Sequence, residues 1–139
     1  MLFLDTSIVV ALYIPEEKSS RAEKLIAQEK QLAVCSLTEV EFNSAVSRQV
    51  RMKALSRNQG HQVISEFQLH QKQRVFIPYP IMQKDYEIAR DWLSTFDSSL
   101  RTLDALHLAV AYSNKLTLAT ADKDFAKSAK VLGISVRTI

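Results

Sequence analysis

A chain of 139 residues, 47% of them hydrophobic and 24% charged, has the size and composition of one globular domain spanning 1–139. Only two glycines and three prolines occur, which excludes a GxGxxG dinucleotide turn, a Walker-type phosphate loop, a flexible linker and any low-complexity tract. Eighteen Lys and Arg against fifteen Asp and Glu leave a net charge of +3, a mild lean towards anionic partners, and the lone Cys35 excludes an internally stapled secreted domain and points to a reducing, cytoplasmic setting.

The opening Leu2-Phe3-Leu4 reads as a buried strand that exits into the polar turn Asp5-Thr6-Ser7 and a helix over 8–14, stopped at Pro15. No apolar run reaches the roughly 20 residues of a membrane span, and the first fourteen residues lack the basic start of a signal peptide. Ala22, Leu25 and Ile26 recur at helical spacing among charges, predicting a surface helix within 16–30. Leu32-Ala33-Val34-Cys35 reads as a second strand, followed by Ser36-Leu37-Thr38-Glu39, a capping box that opens a helix to about 55. A helix over 56–74 carries Val63, Ile64, Phe67 and Leu69 near one side, with Gly60 counting against its first turns.

A third strand falls at 75–78, and an amphipathic helix is predicted over 80–96. The stretch 102–114 is apolar nearly all round and must therefore be a central helix. A fourth strand at 116–119 leads into Thr120-Ala121-Asp122, a short helix covers 123–130, and a last strand follows Gly133 at 134–136. Short apolar strands alternating with helices predict an α/β fold of three layers, αβα, around a parallel sheet of four to five short strands. In such sheets ligands bind beyond the carboxyl ends of the strands, so the residues just after each strand carry the functional argument.

Asp5 and Asp122 stand just after predicted strands, Asp104 in the first turn of the apolar helix, and Glu41 about one turn into the helix after the second strand. A carboxylate near a helix N-terminus gains about 0.3–1 kcal/mol from the dipole, which alone accounts for Asp104 better than for Glu41. Both, however, sit among apolar neighbours, where a carboxylate must be paired, neutralised or bound to a metal. If the four converge, their mutual repulsion calls for a divalent cation, and an all-oxygen set suits Mg²⁺ or Mn²⁺ rather than zinc.

The segments Leu-Asp-Thr-Ser at 4–7, Ser-Leu-Thr-x-x-Glu at 36–41, Leu-Asp-Ala-Leu-His-Leu-Ala at 103–109 and Thr-Ala-Asp-Lys-Asp-Phe at 120–125 resemble the four motifs of PIN-domain nucleases, and more closely the VapC toxins of prokaryotic toxin–antitoxin pairs. Any one motif is weak; four in order, spanning nearly the whole chain, are specific. The resemblance implies a PIN-like fold and a metal-dependent endoribonuclease that hydrolyses RNA phosphodiester bonds. It further implies that Asp5, Glu41, Asp104 and Asp122 hold Mg²⁺ or Mn²⁺, that Asp124 assists, and that the hydroxyls of Thr6 and Thr120 orient a carboxylate or water. Its partners would be an RNA substrate, a second copy of the chain in a homodimer, and a VapB-like antitoxin whose extended segment lies in an apolar groove lined by Val9, Val10, Leu12, Tyr13 and Phe42. A metal-activated water rather than the substrate's 2′-OH would attack, so the chemistry itself leaves open a relative that acts on DNA, and a non-catalytic RNA- or protein-binding module is the other reading.

Two other α/β activities fit less well, since Asp5 is not followed by the Asp-x-Asp of haloacid-dehalogenase phosphatases and Pro78 stands where a receiver domain needs an aspartate. Between Glu41 and Glu66 no acidic residue occurs, while Arg48, Arg51, Lys53 and Arg57 form a basic stretch suited to phosphates, or simply a solvated face. His107, one turn after Asp104, is read as a brace for its helix rather than a general base.

Overall fold

The computed structural model describes residues Met1–Ile139. Its elements run β1 (Leu2–Leu4), α1 (Thr6–Tyr13), α2 (Ser19–Ile26), β2 (Leu32–Cys35), α3 (Ser36–Arg51), α4 (Arg57–Lys72), β3 (Phe76–Tyr79), α5 (Gln83–Ser94), α6 (Thr102–Ser113), β4 (Thr117–Thr120), α7 (Lys123–Val131) and β5 (Val136–Thr138). The strands form one sheet in the order β3-β2-β1-β4-β5, with every pair parallel. Pro78 is tolerated because β3 is an edge strand, paired only with β2.

Side chains alternate across a strand, so the three residues of β1 feed two cores. Leu2 and Leu4 join a core with Ile8, Val9, Phe42, Val46 and Phe67, under α1 to α4. Phe3 joins the opposite core with Ala105, Leu108, Ala109, Leu118 and Phe125, under α5 to α7. The architecture is therefore three-layer αβα, with buried strands too short and apolar to show alternation in sequence. No helix is long and apolar enough to cross a membrane.

Several local expectations are corrected. Cys35, not Ser36, caps α3: its backbone is extended and its Sγ accepts the Leu37 N–H at 3.4 Å, so Ser36 is already helical and its pairing with Glu39 does not form. The capping box lies instead at Ser56 and Gln59, at the start of α4. Gly60 belongs to that helix, and the reason for a glycine is steric: a Cβ there would lie 2.8 Å from Val50 Cγ2 on α3. The last strand begins two residues later than expected, at Val136. Val9 and Phe42 are wholly buried, so they belong to the core and not to a surface groove.

The pairing of α5 with α6 includes one buried polar contact between the helices. Asp85 is fully buried and accepts the Met82 N–H at 2.8 Å on one oxygen and the Ser113 hydroxyl at 2.6 Å on the other. Removing a buried partner leaves its donors unpaired at about 1–3 kcal/mol. Asp85→Ala is expected to lower the unfolding free energy by about that amount, read as a lower urea midpoint at unchanged slope; an unchanged midpoint would show that this contact does not hold the helix pair.

Candidate active site

Strand order reverses at β1: the chain steps outward through β2 and β3, then returns to place β4 on the other side of β1. The crevice beyond the carboxyl ends of β1 and β4 is the switch point of this sheet. Asp5 follows β1 and Thr120, Ala121 and Asp122 end or follow β4, so the register of the two strands brings these residues together. Asp5 N–H donates to the Ala119 carbonyl at 2.9 Å.

Asp5 is only 8% exposed. Although it occupies the cap position of α1, its carboxylate does not bond that helix's N–H groups. Its Oδ2 instead accepts the hydroxyls of Ser7 at 2.5 Å and Thr120 at 2.8 Å. Ser7 Oγ in turn accepts the Ala121 N–H at 3.0 Å, lacing the end of β4 to the start of α1. Asp122 caps α7 in the ordinary way, its Oδ1 accepting the N–H groups of Asp124 at 2.8 Å and Phe125 at 3.0 Å.

Glu41 reaches the same edge from α3. Its Oε2 accepts the Thr6 hydroxyl and faces His107 Nε2 at 2.5 Å. Burial pushes this carboxyl up, but the hydrogen bond and electrostatic attraction of His107, with the hydrogen bond from Thr6, outweigh it, and the group ends below its ordinary value. Asp104, half-buried in the first turn of α6, shows the opposite balance. Burial raises it first, the nearby Asp5 and Asp122 carboxylates raise it further, and Arg101 opposes them incompletely.

The acids share an edge but not a single ligating shell. No group of three or more His, Cys, Asp or Glu side chains is drawn together at metal-ligand spacing. Asp5 and Glu41 are turned onto hydroxyl and imidazole donors, while Asp104, Asp122 and Asp124 line a cleft of about 130 Å³ with Ser99, Leu100, Arg101, Phe125 and Ser128. The donor set still fits a hard divalent cation, because the carboxylates and hydroxyls of this edge offer oxygens, the imidazole nitrogen nearest them is engaged with Glu41, and Asp104 is raised by negative neighbours that a cation would offset.

Of the basic stretch, Arg48 lies two turns beyond Glu41 on the same side of α3, at about 10 Å along the axis. Arg51 is about 15 Å beyond; with Arg57 and His61 it lines a larger groove of about 270 Å³ between α3 and α4 that contains no carboxylate. Arg48, Arg51, Lys53 and Arg57 are all exposed. Two cations at this edge escaped the sequence reading: Arg101, in the acidic cleft, and Lys18, whose Nζ donates to the Ala121 carbonyl at 3.2 Å. Ser7 escaped it too. Arg101 stands three residues before Asp104, a signal that was available; Lys18 meets β4 only through the fold.

A curated relative, Ribonuclease VapC3 of Pyrobaculum aerophilum, is 23% identical over 127 residues, covering 91% of this chain and 92% of that protein. The crystal structure of Mycobacterium tuberculosis VapC20, described as a sarcin-ricin loop cleaving toxin, aligns with TM-score 0.75 at 19% identity, over 91% of this chain and 94% of that one. VapBC2 of Rickettsia felis, solved bound to a DNA fragment from its promoter, aligns with TM-score 0.71 at 18% identity, over 100% and 99% of the two chains. The PIN domain family model matches residues 2–131, nearly the whole of the sheet and all seven helices, and the chain belongs to the PIN-domain family.

Proposed function

We propose that this chain is an endoribonuclease toxin of the VapC type that hydrolyses RNA phosphodiester bonds with a carboxylate-held Mg²⁺ or Mn²⁺ and is restrained by a VapB-like antitoxin. The observation that carries the reading is Asp104, a half-buried carboxyl raised by burial and by Asp5 and Asp122 at the switch point of the sheet. Such a group wants a cation. The names of the similar proteins, a ribonuclease and a sarcin-ricin loop cleaving toxin, support RNA as the substrate.

Asp5, Glu41, Asp104 and Asp122 would hold the ion, with Asp124 assisting from the rim of the cleft. When bound, the ion acidifies an attacking water and neutralises the scissile phosphate. The chain's own residues do the rest. Thr6 and Thr120 fix the carboxylates of Glu41 and Asp5 by donating their hydroxyls. Arg101 and Lys18 flank the acids with positive charge, and exposed Arg48, with Arg51, Lys53 and Arg57 further along, extends a basic path for the strand's phosphates.

The antitoxin segment fits a groove of about 260 Å³ lined by Leu12, Tyr13, Ile26, Leu32, Val75 and Phe76. The second copy of a homodimer fits the face of α5 and α6, where Phe96 is 91% exposed beside Tyr86, Leu93 and Leu106 around an apolar recess of about 500 Å³. Phe96→Asp is expected to convert the dimer to a monomer in light scattering; an unchanged mass would place the interface elsewhere.

With Mg²⁺ or Mn²⁺ the purified protein should cut RNA, and Asp5→Asn, folded as the parent, should cut none and cause no growth arrest on induction. Retention of RNA without cleavage would instead identify a binding module, and preferential cleavage of single-stranded DNA a DNA-directed relative.

The raised Asp104 also has a consequence for stability. Its folded-state affinity for a proton exceeds that of the unfolded chain, so its contribution is fully present below the unfolded value and is lost as pH rises through the folded-state value. Metal-free Asp104→Asn should therefore melt above the parent at pH 7, with the gap closing near pH 3, and Mg²⁺ should raise the melting temperature of the parent more than that of the variant. A variant that melts below the parent at neutral pH would contradict this.

A further inference from the structure

Three of the four acids at the switch point are bound by the chain in the same way. Asp5 gives Oδ2 to the hydroxyls of Ser7 and Thr120, Asp122 gives Oδ1 to two backbone N–H groups, and Glu41 gives Oε2 to Thr6 and His107. In each case two donors saturate one oxygen and none engages the other. Hydroxyls and backbone amides do this for Asp5 and Asp122; at Glu41 a buried imidazole shares the duty with a hydroxyl.

His107 is 1% exposed, and its ring packs edge-on to Phe3 at 6.1 Å between centroids. Its Nδ1 has no hydrogen-bond partner, so the contact of Nε2 with Glu41 is the ring's one polar interaction. Nε2 is the ring atom that donates to Glu41, because a carboxylate can only accept. The ring is wedged between the sheet and α6, and can serve Glu41 and nothing else.

We infer that His107 is a positioning residue which, with Thr6, confines Glu41 to one-oxygen ligation through Oε1 and thereby favours Mg²⁺ or Mn²⁺ over Ca²⁺ at this site. The inference rests on the metal-dependent reading above. Mg²⁺ demands an octahedron of oxygens at about 2.0–2.1 Å and keeps several waters, whereas Ca²⁺ takes 6–8 oxygens and readily uses a carboxylate through both. A glutamate on α3 with both oxygens free could swing to chelate the larger ion. With Oε2 held by an immobile imidazole and a hydroxyl, it offers a single ligand atom, as Asp5 and Asp122 do.

The test is calorimetric titration of MgCl₂, MnCl₂ and CaCl₂ into the parent, His107→Leu, His107→Gln and Thr6→Val, each first shown to melt cooperatively. Loss of a group that orients a ligand typically costs about 10–100-fold in metal affinity. His107→Leu should lose Mg²⁺ affinity on that scale and Ca²⁺ affinity by less, shrinking the Mg²⁺/Ca²⁺ ratio. His107→Gln, whose amide nitrogen replaces Nε2 as donor, should keep the parent's ratio. Thr6→Val, at a half-exposed position, should move the ratio in the same direction as His107→Leu and decides the matter if that variant does not fold. An unchanged ratio in the folded donor-less variants, or a glutamine variant that behaves as the leucine one, overturns the role of His107 while leaving the nuclease reading intact. A parent that binds none of the three ions overturns both.

Discussion

In a sheet whose strands all run one way, every strand hands its chain to a helix at the same edge. This constraint governs the rest of the molecule. Residues separated by more than a hundred positions, Asp5 after β1 and Asp122 after β4, become neighbours because β1 and β4 pair in parallel register, Leu4 opposite Ala119. Helices that start at that edge add residues from their first two turns, which is how Asp104 on α6 and Glu41 on α3 reach it. The site is a consequence of strand order; no loop of unusual length or glycine content builds it.

Crowding acids at one edge has an electrostatic cost that the chain meets unevenly. Donors are supplied where the backbone and short polar side chains happen to lie: hydroxyls of Ser7 and Thr120 for Asp5, the amides opening α7 for Asp122, Thr6 and His107 for Glu41. The basic residues are mostly spread over the rest of the surface. With Asp5, Glu41, Asp104, Asp122 and Asp124 set aside, the net charge of +3 becomes +8 for the remainder of the chain, so a small net charge conceals an acidic edge set in a basic surface. A polyanion drawn to that surface meets the acids only if a cation bridges them.

Much of this was legible in the sequence because it depends on local pattern. Apolar runs of three or four residues broken by polar exits marked the strands, and Asp5 and Asp122 stood out by position alone. The all-apolar stretch of α6 announced a central helix, and it packs both on the sheet and on α5. What failed was whatever depends on atoms rather than pattern. Cys35 caps α3 through sulfur, a role its residue type does not advertise, so the Ser36 box looked better than it was. Gly60 looked like a helix breaker because its partner, Val50, lies on another helix. Val9 and Phe42 looked like groove residues, yet a helix that packs under three neighbours buries more than one stripe. The Glu41–His107 contact joins positions 66 apart and has no local signature at all.

The two interior acids show how the fold separates tasks that one residue type could perform alike. Glu41 and Asp104 are both half-buried carboxyls near helix starts, and burial pushes both upward. Glu41 has its charge answered by the protein, through an imidazole and a hydroxyl that favour its ionised form and hold its Oε2. Asp104 has mainly negative neighbours and only Arg101 to oppose them, so its charge must be answered from outside. Opposite shifts in two carboxyls at one edge of the sheet point to differentiated roles. One carboxylate is a fixed part of the frame, and the other is where a cation gains most by arriving.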